Sequence, residues 1–136
     1  MDYFEIFPHA LALAAAYALA FPIGWDRENE ARSAGLRTFP LVAVASCGFI
    51  QASESMLSHS PDAIARVVEG LITGIGFIGG GAILKHGSSV HGTATAASIW
   101  ATGAIGTAVG LGSYDVAVVV AVFTFLTLRL LPLLKE

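Results

Sequence analysis

Charged side chains are scarce in this sequence: Asp, Glu, Lys and Arg make up 12% of its 136 residues, whereas 55% are hydrophobic. A soluble domain ordinarily carries about 25% charged residues, so the composition argues against a soluble globular fold. Seven Lys and Arg against ten Asp and Glu give a formal net charge of −3. Without a positive excess or a basic tail, nucleic acid is not an expected partner.

Cysteine and catalytic motifs are equally scarce. Cys47 is the single cysteine, so no disulfide can form within the chain. The sequence contains no nucleophile–base arrangement, Walker A sequence or HExxH motif. His86 and His91 are too few ligands for a zinc site. We therefore expect a protein that is not an enzyme and holds no cofactor, with Mg²⁺ as the one ligand to consider.

The few charges are clustered, and the runs between them have the length of membrane spans, because a helix needs ~20 residues to cross the hydrocarbon core. This pattern predicts an all-α, polytopic membrane protein with five transmembrane helices. We expect one transmembrane domain over residues 1–136, with no soluble domain. The predicted helices cover residues 6–25, 39–57, 64–84, 93–111 and 116–134.

The distribution of Lys and Arg predicts the orientation of these helices. If the amino terminus is outside, six of the seven Lys and Arg fall on one side of the membrane and only Arg66 on the other. Short cytoplasmic loops carry an excess of positive residues. We therefore expect the amino terminus outside and the carboxyl terminus in the cytoplasm.

Small residues recur at every fourth position in two spans, which favours close helix packing. They are Ala12, Ala16, Ala20 and Gly24 in the first span, and Ala94, Ser98, Thr102, Gly106 and Gly110 in the fourth. Glycines are also dense in the third span, at Gly70, Gly74, Gly76, Gly79, Gly80 and Gly81. Close packing is the favoured interpretation of these glycines, and a kinked or unwound third helix that lines a polar site is the alternative. The sequence does not separate packing within the chain from packing in an oligomer.

Two groups of ionisable residues each have two interpretations. Glu69 lies inside the third span, where a carboxylate is commonly functional, although Arg66 at three residues' distance could pair with it. Residues 26–37 hold three acidic and three basic residues. They form either a solvated positive loop or a site at which Asp26, Glu28 and Glu30 bind a hard cation such as Mg²⁺.

Three ordered segments of this sequence resemble the MgtC/SapB family. They match its G-x-E-R-E … A-G-L-R-T-h-x-L-V, G-I-G-F-L-G-A-G-x-I-L and V-x-G-L-T-T-A-A-S-I-W patterns. The matching residues are 24–28 with 34–42, 74–84 and 90–100, and residues 106–112 with Tyr114 continue the pattern. The departures are Asp26 in place of Glu, Gly80 in place of Ala, and Thr93-Ala94 in place of Leu-Thr.

The resemblance implies a bacterial inner-membrane protein associated with magnesium limitation, acid stress or virulence. It implies regulation through membrane partners, including ATP synthase in some cases. Many members carry a cytoplasmic carboxy-terminal domain, and we expect its functions to be absent from this sequence. The resemblance also implies one shared site near the cytoplasmic side. Its candidate residues are Asp26, Arg27, Glu28, Arg37, Thr38, Glu69, Thr73, Thr95 and Ser98.

Two functions fit these features. The first is a non-enzymatic regulator of magnesium or proton homeostasis that acts through self-association or a membrane partner. The alternative is a small transporter or channel for a cation or solute, with Glu69 and the glycine-rich third helix on its path. In either case Mg²⁺ could bind at Asp26, Glu28 or Glu69.

Overall fold

The computed structural model describes residues 5–57 and 59–135. Within these residues the chain forms five α-helices, a short β-hairpin and a final 3₁₀ helix, so the all-α class is confirmed. The helices are α1 Ile6–Asn29, α2 Thr38–Leu57, α3 Pro61–Gly81, α4 Thr93–Gly110 and α5 Tyr114–Leu130, with the 3₁₀ helix at Leu131–Lys135. The hairpin strands are β1 Leu84–His86 and β2 Ser89–His91.

α1 is longer than the sequence predicts. The expected end is residue 25, just before the first charged residues, but the helix continues to Asn29. Asp26 and Arg27 therefore lie in its last turn, where they form an ion pair and are both buried. Burying a charged side chain costs much less free energy when an opposite charge pairs with it. The helix can therefore continue through Asp26 and Arg27 into the bundle.

α3 is an unbroken helix throughout its glycine-rich part. Ser60 caps its amino end by accepting a hydrogen bond from Ala63 N at 3.4 Å, and Pro61 follows in the first turn, where proline is tolerated. The helix ends at Gly81, three residues before the predicted end at residue 84. The unwound alternative is therefore not the conformation of this segment.

Residues 85–92 are predicted as a loop, but most of them belong to an antiparallel hairpin that connects α3 with α4. Leu84 pairs with His91 and His86 with Ser89. Gly87 lies in the turn with φ of +61°, a conformation that favours glycine. A Gly-Ser turn between two short segments is a hairpin signal, so this element was readable from the sequence.

α4 occupies the centre of the bundle and contacts each of the other four helices. Glycines make this close approach feasible: a Cβ atom on Gly106 would overlap the carbonyl oxygen of Ala43 in α2. On Gly110 it would lie 2.7 Å from Ile50 Cβ, and on Gly103 it would overlap Ile75 of α3. The helices thus contact one another through main chain and small side chains, as in membrane helix bundles.

Three helical segments are long and apolar enough to span a membrane by length and composition: Ile6–Asn29, Pro61–Gly81 and Tyr114–Leu134. The chain is therefore a membrane protein. α2 and α4 fall outside this group, although five spans are predicted from the sequence. α4 carries Thr95, Ser98 and Thr102 at buried positions, so its hydroxyls lower its apolar character while neighbouring helices cover them.

The α4 contacts predict a contrast between two glycine substitutions. Gly106→Ala should lower the free energy of unfolding by about 1–3 kcal/mol, because the added methyl group must displace the main chain of α2. Gly76→Ala adds the same group to α3, where nothing lies within 4 Å, and should leave stability unchanged or raise it by up to ~1 kcal/mol through helix propensity. Unfolding in detergent micelles, followed by circular dichroism, measures both. Equal effects of the two substitutions would contradict this account of α4.

Candidate functional site

The ends of α1, α3 and α5 meet the starts of α2 and α4 at one end of the bundle, which we call the polar end. Ser33, in the segment between α1 and α2, donates a hydrogen bond to the carbonyl oxygen of Ala82 at 2.7 Å. Arg129 of α5 approaches Asp26 of α1. These contacts join parts of the chain that are far apart in sequence.

Asp26 and Arg27 form a buried ion pair at the polar end. Arg27 Nη2 lies 2.6 Å and Nε 3.1 Å from Asp26 Oδ2, and the two residues are only 2% and 3% exposed. Arg129 Nη1 lies 3.6 Å from the other oxygen, Oδ1, while its own side chain is 55% exposed. One carboxylate thus faces two guanidinium groups, which leaves this part of the polar end positive.

The turn after α1 holds these charges in place. Arg32 N donates to Arg27 O and Ala31 N donates to Glu28 O, both at 3.0 Å, the two bonds of a Schellman helix end. Ala31 has φ of +52° at the position where glycine is usual. Gly35 then allows the chain to pass beside Glu28, because a Cβ atom there would overlap the Glu28 carboxylate.

Only some of the predicted site residues lie together. Asp26 and Arg27 are paired, and Glu28 is exposed and packs beside Gly35. Arg37 is exposed and Thr38 is half-buried at the start of α2. Among residues 5–57 and 59–135, the side chains that form ion pairs are Asp26 with Arg27 and Asp26 with Arg129.

Glu69 and Thr73 lie away from the polar end. Both are exposed on α3, and Glu69 is twelve residues before the end of that helix, or about 18 Å along its axis at 1.5 Å per residue. Thr73 Oγ1 donates to Glu69 O at 3.1 Å. In the described part of the chain Glu69 makes no ion pair with Arg66. The pairing that their three-residue spacing predicted is therefore not formed in this structure.

Thr95 and Ser98 are buried on α4 below the polar end. Ser98 Oγ donates to Thr95 O at 2.8 Å. Thr95 Oγ1 is different, since it has no hydrogen-bond partner within the described residues.

The remaining glycines divide into two groups. Gly79, Gly106 and Gly110 pack closely within the chain, whereas a Cβ atom would meet nothing within 4 Å at Gly70, Gly74, Gly76, Gly80 and Gly81.

The predicted magnesium ligands do not come together as one set. Within residues 5–57 and 59–135 no group of three His, Cys, Asp or Glu side chains is placed to hold a metal ion. Asp26 already faces two arginines, Glu28 lies beside Gly35, and Glu69 is on a distant part of α3. Magnesium binding stays a prediction for each of these carboxylates separately.

The structure adds one residue to the candidate site that the sequence analysis missed. Arg129 lies in the last turn of α5 and approaches the buried carboxylate of Asp26. The available signal was a basic residue at the end of an otherwise apolar span. That signal places Arg129 on the same side as Arg27 but does not reveal its partner, because the pairing depends on how α5 packs beside α1.

The buried pair predicts that one substitution lowers stability strongly and that a second substitution restores it. Asp26→Asn should lower the free energy of unfolding by about 3–5 kcal/mol, because Arg27 would stay buried without an opposite charge. Adding Arg27→Met should restore most of the loss, since methionine fills similar space without charge. Unfolding in detergent micelles measures both variants. A double variant no more stable than Asp26→Asn would show that the pair is not the cause.

Comparison with known proteins confirms the resemblance drawn from the sequence. A profile of the MgtC family matches residues 13–136 of the chain. Protein MgtC of Salmonella typhimurium strain LT2 is 41% identical over 109 residues, which cover 80% of this chain and 46% of that protein. Protein MgtC of Brucella abortus strain 2308 is 40% identical over 114 residues, which cover 84% of this chain and 47% of that protein.

The chain spans about half the length of the curated relatives that it matches. No solved structure matches it. The family match covers all five helices from within α1 onward, including the buried charges of the polar end and the glycines of α3 and α4. The chain belongs to the MgtC family.

Proposed function

We propose that this chain is a multi-pass protein of the bacterial inner membrane that regulates magnesium or proton homeostasis without catalysing a reaction. It acts through contact with a second copy of itself or with another membrane protein. The link to magnesium and protons rests on family membership. The mode of action rests on the exposed surface of α3.

All five helices cross the membrane in this proposal. α2 and α4 run between α1, α3 and α5, which are long and apolar enough to span, so α2 and α4 lie at the same depth. Their more polar residues face neighbouring helices, as Ser46 and Thr102 do. The polar end carries Arg27, Arg32 and Arg129, which favours its location in the cytoplasm and the amino terminus outside.

The observation that carries the proposal is the composition of the open α3 face. Glu69, Thr73 and Phe77 follow one another at four-residue intervals and are all exposed. Beside them, Gly70 and Gly74 have open space where a side chain would be. A carboxylate exposed to lipid is unfavourable, whereas glycines let another helix approach closely. Both features favour coverage of this face by a helix of a second molecule.

The interior of the bundle favours a regulator over a transporter. Ser46, Ser98 and Thr102 donate their hydroxyl hydrogens to carbonyl oxygens of their own helices at 2.7, 2.8 and 2.7 Å. Ile99 and Ile105 are fully buried among them. Among the described residues, these hydroxyls therefore form hydrogen bonds within their own helices, and apolar side chains separate them. This arrangement does not favour a continuous polar path through one copy of the chain.

Photo-cross-linking at two matched phenylalanines tests the α3 contact. Phe77 on α3 is 85% exposed and Phe123 on α5 is 70% exposed. Either is replaced by photoreactive benzoylphenylalanine, and native membranes are irradiated. The probe at residue 77 should give a discrete product, either a dimer of the chain or a complex with one membrane protein identified by mass spectrometry. The probe at residue 123 should give mainly lipid adducts, because α5 faces lipid in this proposal.

A variant inside the same face strengthens this test. Gly74→Leu places a bulky side chain where another helix would approach, and it should reduce the residue 77 product several-fold without unfolding the chain, since nothing lies near a Cβ atom there. Equal products from residues 77 and 123, or no protein product from either, would rule out a specific contact through α3.

The second candidate is a small transporter or channel for a cation or solute. One observation favours it: Glu69 and Thr73 lie on the open face, so two copies packed through α3 would place both carboxylates near their interface. Magnesium and proton flux into proteoliposomes tests it. Flux above that of empty liposomes, lost in Glu69→Gln, would support the transporter, whereas no flux from a folded and inserted protein would support the regulator.

A further inference from the structure

A cavity of about 460 Å³ lies at the polar end, between α1, strand β2, the first turn of α4 and the end of α5. Its volume is within the range of small-molecule sites, ~300–1,000 Å³. Its polar lining residues are Arg27, Arg32, His91, Thr93, Thr95 and Thr127. Among the described residues that line it, none is Asp or Glu, so the wall is positively charged.

The first turn of α4 supplies hydrogen-bond donors to this cavity. Gly92 precedes the helix and has no side chain to cap it, and Ala96 N donates to Gly92 O at 2.8 Å. The amides before Ala96 have no acceptor within the helix, and their residues, Thr93, Ala94 and Thr95, all line the cavity. The amino end of a helix attracts anions through these amides and through its dipole.

Thr95 gives a second, independent indication of a ligand. Thr95 is one of the residues that line the cavity and is only 1% exposed, and its Oγ1 is a buried atom with no hydrogen-bond partner within residues 5–57 and 59–135. By contrast, the buried hydroxyls of Ser98 and Thr102 on the same helix donate to main-chain carbonyls. Because a buried hydroxyl without a partner is unfavourable, its position in the wall points to an acceptor oxygen inside the cavity.

We propose that this cavity binds a phosphate group, carried by an anionic phospholipid headgroup or by a soluble phosphate compound. A phosphate presents acceptor oxygens in several directions, which matches donors from α4 on one wall and arginines on another. Guanidinium groups bind phosphate through paired hydrogen bonds. Since Asp26 offsets the charge of Arg27, Arg32 supplies the net attraction. This site is separate from the α3 face and does not depend on the function proposed for it.

The test uses the full chain in lipid nanodiscs and two phosphate probes. Inorganic phosphate is titrated into nanodiscs of phosphatidylcholine and followed by calorimetry. In nanodiscs that also contain phosphatidylglycerol, retained lipid is measured by native mass spectrometry. Thr95→Val keeps the side-chain shape but removes the hydroxyl, and Arg32→Gln removes the charge. Each should weaken binding of the active probe by about tenfold, as expected for a hydrogen bond to a charged group.

Two matched substitutions serve as controls. Thr107→Val makes the same change on α4 away from the cavity, and Arg66→Gln removes an arginine from α3 at the other end; both should leave binding unchanged. Without ligand, Thr95→Val should unfold at the same or a higher temperature than the wild type, because its hydroxyl has no partner in the fold. A lower unfolding temperature would show that the hydroxyl serves the fold, and would overturn the proposal.

The two probes distinguish the sources of the phosphate. Saturable binding of inorganic phosphate that both variants weaken assigns the site to a soluble compound. Selective retention of phosphatidylglycerol, again lost in both variants, assigns it to a lipid headgroup. Absence of binding in both arms, or binding that Thr95→Val and Arg32→Gln leave unchanged, would overturn the proposal.

Discussion

Gly106 of α4 lies so close to α2 that a single added carbon would overlap the main-chain carbonyl oxygen of Ala43. This approach fixes the depth and rotation of α4, because the other helices pack around it and each of them contacts it. In lipid, apolar side chains gain little by associating with one another, so close main-chain packing has to supply the attraction between helices. The remaining contacts of the bundle depend on this one.

The position of α4 also determines the chemistry of the polar end. Its first turn begins beside the last turn of α1, so its uncapped amides and the Thr95 hydroxyl share a cavity with Arg27 and Arg32. Asp26 and Arg27 are buried there as a pair, and Arg129 reaches the same carboxylate from α5. A shift of α4 would therefore disturb both the packed core and the charged site.

The helices were predictable from the sequence because most are apolar runs of about twenty residues, and the bounds of α2 and α4 lie within one residue of the predicted ones. The carboxyl end of α1 was not predictable in this way. α1 continues through Asp26 and Arg27 because the two charges neutralise each other within the bundle, which is a tertiary effect. The hairpin after α3 carried a local signal in its Gly-Ser turn and could have been found. The approach of Arg129 to Asp26 could not, since no local pattern records which helices become neighbours.

The candidate site shows the same limit at the level of single residues. The sequence analysis grouped Glu69, a carboxylate inside a predicted span, and Thr73 with the charged segment around Asp26, yet they lie along α3 at a distance from the polar end. Thr95 was included, but the sequence gives no sign that its hydroxyl differs from those of Ser98 and Thr102. Ser98 and Thr102 donate to carbonyl oxygens three and four residues earlier in α4, whereas Thr95 lies in the first turn of that helix.

Glycine has two different roles in this bundle, and the contrast bears on its function. On α4, the space left by Gly103, Gly106 and Gly110 is filled by neighbouring helices of the same chain, so the lost helix propensity is offset by packing. On α3, five glycines have nothing within 4 Å of a Cβ position, although each weakens a helix by up to ~1 kcal/mol relative to alanine. Glu69 on the same helix adds an exposed carboxylate. Within one copy no neighbouring atom packs into the space at these positions, whereas in the proposed contact a helix of another molecule would pack against Gly70 and Gly74.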